Sequence, residues 1–298
     1  MKLWRNGIVV LLSLLLAGWI KSPWELRTQR SFEQQGILWR PLEVGVKERI
    51  GQTCAVVSLG GLRTVVATFF NLAAYGSFEK RDWVKLTDQF ELIVALQPNT
   101  AYYWDVGAWH MAYNAAMDCK ERDDWPAARQ EALHRAYVLK GRAFLERGVR
   151  NNPDDWTLLS SLGRFYGTPA KYPDYAKSAD AYERAWKTGK ARNFEARAWL
   201  YSLARVEGKE REALALARQL FERDRNRVDT LCCLLFVLEW SQPDAPSTPE
   251  LVKRCFEDEA SALRMLTTYR LNNAEMLPIV GVDLSLIHIS EPTRQAEI

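Results

Sequence analysis

The sequence predicts an all-α chain behind one N-terminal apolar run that inserts into a membrane. Three observations carry this. Apolar residues recur at three- and four-residue spacing from Lys21 to Asp283. Prolines flanked by capping residues punctuate the pattern at near-regular intervals. No window alternates apolar and polar residues between hairpin turns, as half-buried strands require. The composition agrees: 298 residues, 48% hydrophobic and 26% charged, bury a real core and exclude a long disordered chain. The net charge of +3 is spread over interleaved charges, so no nucleic-acid partner is expected.

At the N-terminus, Lys2 and Arg5 precede the uncharged stretch from Asn6 to Ile20, and Lys21 closes it. As a helix this stretch spans about 22 Å, less than the ~30 Å of a bilayer core, so length alone suits a cleavable signal. The flanks argue the other way. No small-x-small cleavage pattern follows, and Trp19 stands where a lipoprotein would need Cys. Trp4, Trp19 and Trp24 flank the run as interfacial aromatics do, and basic ends can snorkel. The favoured reading is an uncleaved signal anchor over residues 1–24, touching the membrane through residues 6–20. A cleaved signal and a buried core helix remain the alternatives. The basic residues keep the short side in the cytoplasm and send the rest of the chain out.

Residues 25–65 form a connecting helical segment. Its Gly60-Gly61 lacks the spacing of a phosphate loop and marks a helix junction or close contact. Beyond it Pro98, Pro126 and Pro153 fall at intervals of 28 and 27 residues. Asn99-Thr100, Asp123-Asp124 and Asp154-Asp155 beside them supply N-caps, with proline in the first turn. After Pro126, one line of Ala128, Ala132, Ala136 and Ala143 and another of Leu133, Tyr137 and Phe144 predict an amphipathic helix of about twenty-five residues. A Pro/Ser loop at 241–249 precedes a final helical segment, Glu250 to about Asn272, within residues 250–283. The run Leu284 to Arg294 resembles the in-frame translation of a transposon-based sequencing adapter, so residues 284–298 are set apart from the fold and the natural chain is expected to continue differently after Asp283.

Chemistry is sparse. Cys54, Cys119, Cys232, Cys233 and Cys255 show no metal-ligand spacing, and the apolar run around Cys232-Cys233 makes those two small buried hydrophobes. His110 and His134 have no liganding neighbours at a repeated spacing. Arg218, Arg223, Arg225 and Arg227 interleave with acids and read as a solvated helix end. No nucleophile stands beside a base in a local signature. No catalytic residue, metal or cofactor is predicted.

The stretch from Asp82 to Asn99 resembles the second helix of a tetratricopeptide repeat (TPR), with Trp83, Phe90 and Pro98 at its Tyr, Phe and closing Pro positions. Trp104 with Gly107-Ala108, and Trp156 with Leu159 and Ser160, resemble first helices. Tyr175, Tyr182 and Ala185, and then Gly208 to Ala217 with Ala213 at the small position, resemble second helices again. The resemblance implies a TPR-like right-handed solenoid over residues 66–240, interrupted by an insertion at residues 164–174. With Ser58 to Phe70, the whole is similar to a bacterial family of single-span, exported TPR proteins of mostly unassigned role. That likeness implies an inner-membrane protein with a periplasmic body that scaffolds a protein or peptide partner in an envelope assembly. The alternative is an accessory or truncated part of an envelope enzyme, with the repeats as its targeting module. In TPR proteins the first helices line a concave groove. Carried over, the partner-binding residues are Asn71, Tyr75, Asp105, Trp109, Tyr113, Arg164, Phe165 and Arg205. Packing of Trp109 and Tyr113 in the interior is the competing reading.

Overall fold

A computed structural model describes residues 62–295, and the anchor, most of the connecting segment and Cys54 lie outside the described residues. Thirteen α-helices and no strand occur among them: α1 (Arg63–Glu79), α2 (Trp83–Leu96), α3 (Ala101–Trp109), α4 (Ala116–Lys120), α5 (Ala127–Asn151), α6 (Trp156–Gly167), α7 (Tyr175–Lys187), α8 (Asn193–Leu203), α9 (Glu210–Phe221), α10 (Asp229–Trp240), α11 (Thr248–Cys255), α12 (Glu259–Asn273) and α13 (Val282–Gln295). A π-helical turn, His110–Ala115, joins α3 to α4 as one rod, and 3-10 turns follow α6 and α9. Among the described residues no helix is long and apolar enough to cross a membrane.

Side-chain caps start several helices where the sequence places an acid. Asp82, Asp155, Asp174 and Asp258 accept from backbone N–H groups in the first turns of α2, α6, α7 and α12, and Ser247 with Glu250 closes a capping box on α11. Two expectations fail here. Neither Asp123 nor Asp124 caps α5, which follows Pro126 directly, and the Gln130 amide instead bonds the Arg122 and Trp125 carbonyls. Thr100 bonds the Gln97 side chain, not the backbone of α3. Pro98 and Pro153 sit in the turns before their helices. The Pro98 carbonyl is put to use there, accepting from Trp104 Nε1 at 2.6 Å and Asn152 Nδ2 at 2.9 Å.

The helix after Pro126 has its expected 25 residues, but its faces are divided differently. Val138, Gly141, Phe144, Leu145 and Gly148 are buried, whereas Ala128, Ala132, Ala136 and Ala143 face solvent. Alanine favours helix on either face, so that line reported propensity and not burial. The final segment is two helices, α11 and α12, separated by Phe256 to Asp258. The insertion begins later than expected, because α6 continues through Gly167. Residues 282–295 form α13, with Val282 and Ile289 buried in the core. An apolar run packs whatever its origin, so this burial is compatible with setting residues 284–298 apart.

Each helix packs chiefly on its neighbour in sequence, and α3 also touches α6, as α10 touches α12. One apolar cluster runs from α1 to α7 through Leu86, Phe90, Trp104, Phe144 and Leu158, and a second runs from α7 to α13 through Leu200, Leu216, Leu234 and Leu266. Helix α7 serves both, with Ala181 and Ala185 in the first and Ala179 in the second. Helices α3 and α5 approach closely: a Cβ on Gly141 would lie 2.8 Å from the Ala108 carbonyl oxygen and 2.9 Å from the Ala112 nitrogen. Gly107 and Ala108 are buried at the same contact, Gly107 against Phe90 and Phe144.

Two buried carboxylates are matched by cations. Asp118, 6% exposed, accepts from Arg81 at 2.9 Å and Trp83 Nε1 at 2.7 Å, tying the α1–α2 turn to α4. Glu239, 3% exposed, takes both arms of Arg218 at 2.7 Å, with Arg254 at 3.5 Å. Arg218 is therefore more than a solvated helix end. Arg227 does fit that reading, since its Nε bonds the Phe221 carbonyl at the C-terminus of α9. Cys119, Cys232, Cys233 and Cys255 are buried free thiols, and burial pushes the Cys255 thiol up to about 12.

Candidate functional site

Asp105 and Trp109 lie one turn apart on α3, and Tyr113 follows four residues later within the π turn. The π turn begins just after Trp109. Such a turn carries an extra residue and loosens the regular ladder, a feature frequent at functional sites. Within it the Ala112 carbonyl accepts a hydrogen bond from Lys171 Nζ at 2.6 Å. Lys171 comes from the 3-10 turn after α6, is 4% exposed, and has no ion pair among the described residues. Burial, with Lys120 as a smaller contributor, lowers its pKa.

The Tyr113 ring occupies the centre of the cluster. Trp109 stacks on it at 4.1 Å and 14°, Lys171 Nζ lies 4.5 Å over it, and Phe165 meets it edge-on at 5.2 Å. The outer side of the Trp109 indole is open, and the residue is 45% exposed. Arg142 anchors the Lys171 turn from behind. Its guanidinium donates to the Lys171 and Tyr172 carbonyls, the latter at 2.7 Å, while Tyr172 takes the left-handed conformation at φ 53°. The Tyr172 hydroxyl donates to Glu131 at 2.5 Å and lies 3.3 Å from His134 Nδ1. His110 packs between Phe78 and Phe90 and bonds Asn114 at 2.9 Å. Burial lowers the pKa of both histidines, so each is a neutral packing and hydrogen-bonding group near pH 7.

The eight expected groove residues do not form one surface. Trp109, Tyr113 and Phe165 meet, but Phe165 is 3% exposed and fills the core under Tyr113, which removes it from the surface. Tyr113 is half-buried, with Trp109 and Lys171 on its ring. Arg164 is exposed on α6 beside Tyr182, whose hydroxyl burial pushes up to about 12. Asp105 is half-buried on the Trp109 line. Tyr75 is 63% exposed and Asn71 half-buried on α1, and neither has a hydrogen bond, ion pair or ring contact to the cluster. Arg205 is half-buried, packs over Tyr175 at 4.7 Å and keeps its Nε without a partner, so it belongs to the interior near the end of α8.

Lys171, Arg142 and Tyr172 escaped the sequence reading. The run Gly167-Thr-Pro-Ala-Lys-Tyr-Pro-Asp174 stood out only as an interruption, and nothing local said where its lysine points. A second concavity, about 440 Å³, lies between α7, α8 and α9 over Ala179, Trp199, Leu203 and Leu216. Its rim acids Asp180 and Glu183 pair with cations on α7, and Glu212 pairs with Lys209 just before α9. Among the described residues no group of three or more His, Cys, Asp or Glu converges to hold a metal. No protein-family model matches the chain, and no curated protein matches it significantly.

Proposed function

We propose that the chain is a membrane-tethered, TPR-like helical scaffold that holds an extended peptide or protein partner in a bacterial envelope assembly. The succession of helices, each packed chiefly on the next, with α3 on α6 and α10 on α12, supports a continuous solenoid in which first helices share one side. The observation that carries partner binding is the Trp109 indole: large, exposed and held rigid by the Tyr113–Lys171 stack. A pre-ordered ring loses little entropy when a ligand covers it, the property that makes aromatic residues interface anchors. Asp105 one turn earlier and Arg164 on α6 supply polar groups for a peptide backbone or its ends. A photo-crosslinking amino acid placed at Trp109 in the full chain, in its native membrane, tests the reading. The same discrete partner should be captured from Trp109 and from Arg164, and not from Leu139, which is 41% exposed on α5. Equal capture from all three positions would overturn it.

A further inference from the structure

Two turns at one end of the stack are basic. The α7–α8 turn, residues 188–192, holds Lys190 and Arg192 and no acid, and the α9–α10 turn, residues 222–228, holds Arg223, Arg225 and Arg227. Short connections keep consecutive helices antiparallel, which puts both turns at the same end. Side chains join them. Arg197, on α8, donates to the Asn226 side chain at 3.2 Å, and the Arg223 guanidinium lies 5.9 Å over Trp186, in the last turn of α7. Lys190, Arg192, Arg197, Arg223 and Arg225 have no ion pair among the described residues. Of the acids beside them, Asp224 pairs with Arg227 and the buried Glu195 accepts from Ser160, which leaves Glu222 and Asp229. Apolar groups stand out of the same edge. Phe194, in the first turn of α8, is 53% exposed, and Val228, just before α10, is 37% exposed. Trp156 and Trp186 are half-buried beneath Arg192 and Arg223. A helix end that is merely solvated, the reading that fits Arg227, has no use for an exposed phenyl ring.

We propose that this edge rests on an anionic bilayer surface, with Phe194 entering the headgroup region and the unpaired cations facing lipid phosphates. Charge complementarity selects that occupant: five unpaired cations stand against two unpaired acids. Each cation in excess raises the ratio of docked to undocked chain about fivefold at an anionic membrane, and the attraction fades within a Debye length. Aromatic rings lying beside arginines are the composition of a membrane–water interface, where a ring settles at headgroup level and long basic stems reach outward. Phe194 and Val228 project as separate points, and neither lines the concavity between α7, α8 and α9, which suits a soft bilayer better than a peptide needing a groove. The neighbouring turns carry acids, Asp154-Asp155 before α6 and Glu257 to Glu259 at the start of α12, so contact is confined to the two basic turns. The contact rests on the tethered reading above, because a chain already held at a membrane loses little further freedom by laying one edge on it.

The full-length chain with Cys54→Ser, reconstituted in vesicles, can report the contact through an environment-sensitive fluorophore on Val228→Cys, because Cys119, Cys232, Cys233 and Cys255 are buried. With about 30% phosphatidylglycerol in phosphatidylcholine, its emission should shift to the blue and be quenched by brominated acyl chains, and about 0.5 M salt should reverse both. Vesicles of phosphatidylcholine alone should give neither. Arg223→Gln with Arg225→Gln should lower the docked-to-undocked ratio about twenty-five-fold, and Phe194→Ser about tenfold. The same label on Leu139→Cys, on α5, should stay in water. An equal shift in both lipids, no shift with phosphatidylglycerol, or a shift indifferent to the arginine substitutions would overturn the contact. A label that responds to a polyglutamate peptide and not to lipid would assign the edge to an acidic protein partner instead. Carbonate extraction of the chain from the vesicles would refute the tether alone, and the extracted chain should still give the shift with excess anionic vesicles.

Discussion

Adding one methyl group at each of two helical glycines should move stability in opposite directions. A Cβ at Gly76 on α1 would meet nothing within 4 Å, and one at Gly141 on α5 would meet Ala112 Cβ at 2.7 Å with backbone atoms at 2.8 and 2.9 Å. Alanine is favoured over glycine inside a helix by about 0.8–1 kcal/mol, and Gly76→Ala should keep most of that gain. Gly141→Ala earns the same helix term but must open the α3–α5 contact. Ordinary contacts begin near 3.4 Å, so two helices must separate by about half an ångström, and overpacking of this kind costs about 1–3 kcal/mol. The obstacles include backbone, which cannot rotate aside, so the upper half of that range applies. The net is a loss of about 1–2 kcal/mol, or roughly 2–8 °C in Tm for a body of this size. Urea denaturation of both variants beside wild type reads the two signs directly. A stabilised Gly141→Ala protein would show that α3 and α5 are not in close contact, and the placement of the π turn against α5 would fall with it.

Four further outcomes follow from the same geometry. Phe165→Ala should cost about 3–5 kcal/mol as a core truncation, whereas Trp109→Ala, with nearly half the side chain already in water, should cost about 1–2 kcal/mol; denaturation curves giving equal losses would return Trp109 to the interior. Glu239→Gln should cost about 1–3 kcal/mol at pH 7, less than a fully buried pair because Arg218 is half exposed. The Arg218 hydrogen bonds hold the Glu239 pKa below its ordinary value, so its stabilisation is complete above pH ~4.5 and the gap to the variant should close as pH falls through the depressed value. A gap that persists unchanged at pH 3 would exclude this pairing. For Lys171 the folded pKa lies below the unfolded value of about 10.4, so the unfolded chain holds the extra proton and wild type should gain on Lys171→Met as pH rises from 7 to 10; a flat difference would mean the amine is solvated. Finally, a chain ending at Asp283 should unfold in one cooperative transition with the helical circular dichroism of α1 to α12 intact, and loss of that transition would make residues 284–298 part of the fold.

The length of α5 was legible because 3.6-residue periodicity over twenty-five positions has no competing explanation. Which side it buries was not, since alanine satisfies both environments and the glycines at 141 and 148 carry no hydrophobic signal. The acids at 82, 155, 174 and 258 act locally as caps, and local chemistry is what sequence spacing can express. The cluster at Tyr113 depends on contacts across 52 to 59 residues, from Phe165 to Tyr113 and from Lys171 to Ala112. Spacing within one helix put Trp109 and Tyr113 together, but not the cation beneath them. Phe165 was misplaced for a related reason: carrying groove positions from one helix to the next assumes equal repeats, and the longer rod of α3, π turn and α4 shifts which residues of α6 face inward.

That rod has a consequence for how the chain tolerates change in length. One residue more or less per turn rotates everything beyond it by about 100°. Upstream of the π turn stands the Trp109 line, and downstream stands Asp118 with its bonds to Arg81 and Trp83. The extra residue brings both into phase, one looking outward and the other into the core. A single deletion anywhere between His110 and Ala115 would straighten the rod and force a choice between them. The segment thus works as a phase adjuster, and its length matters more than the identity of most of its residues.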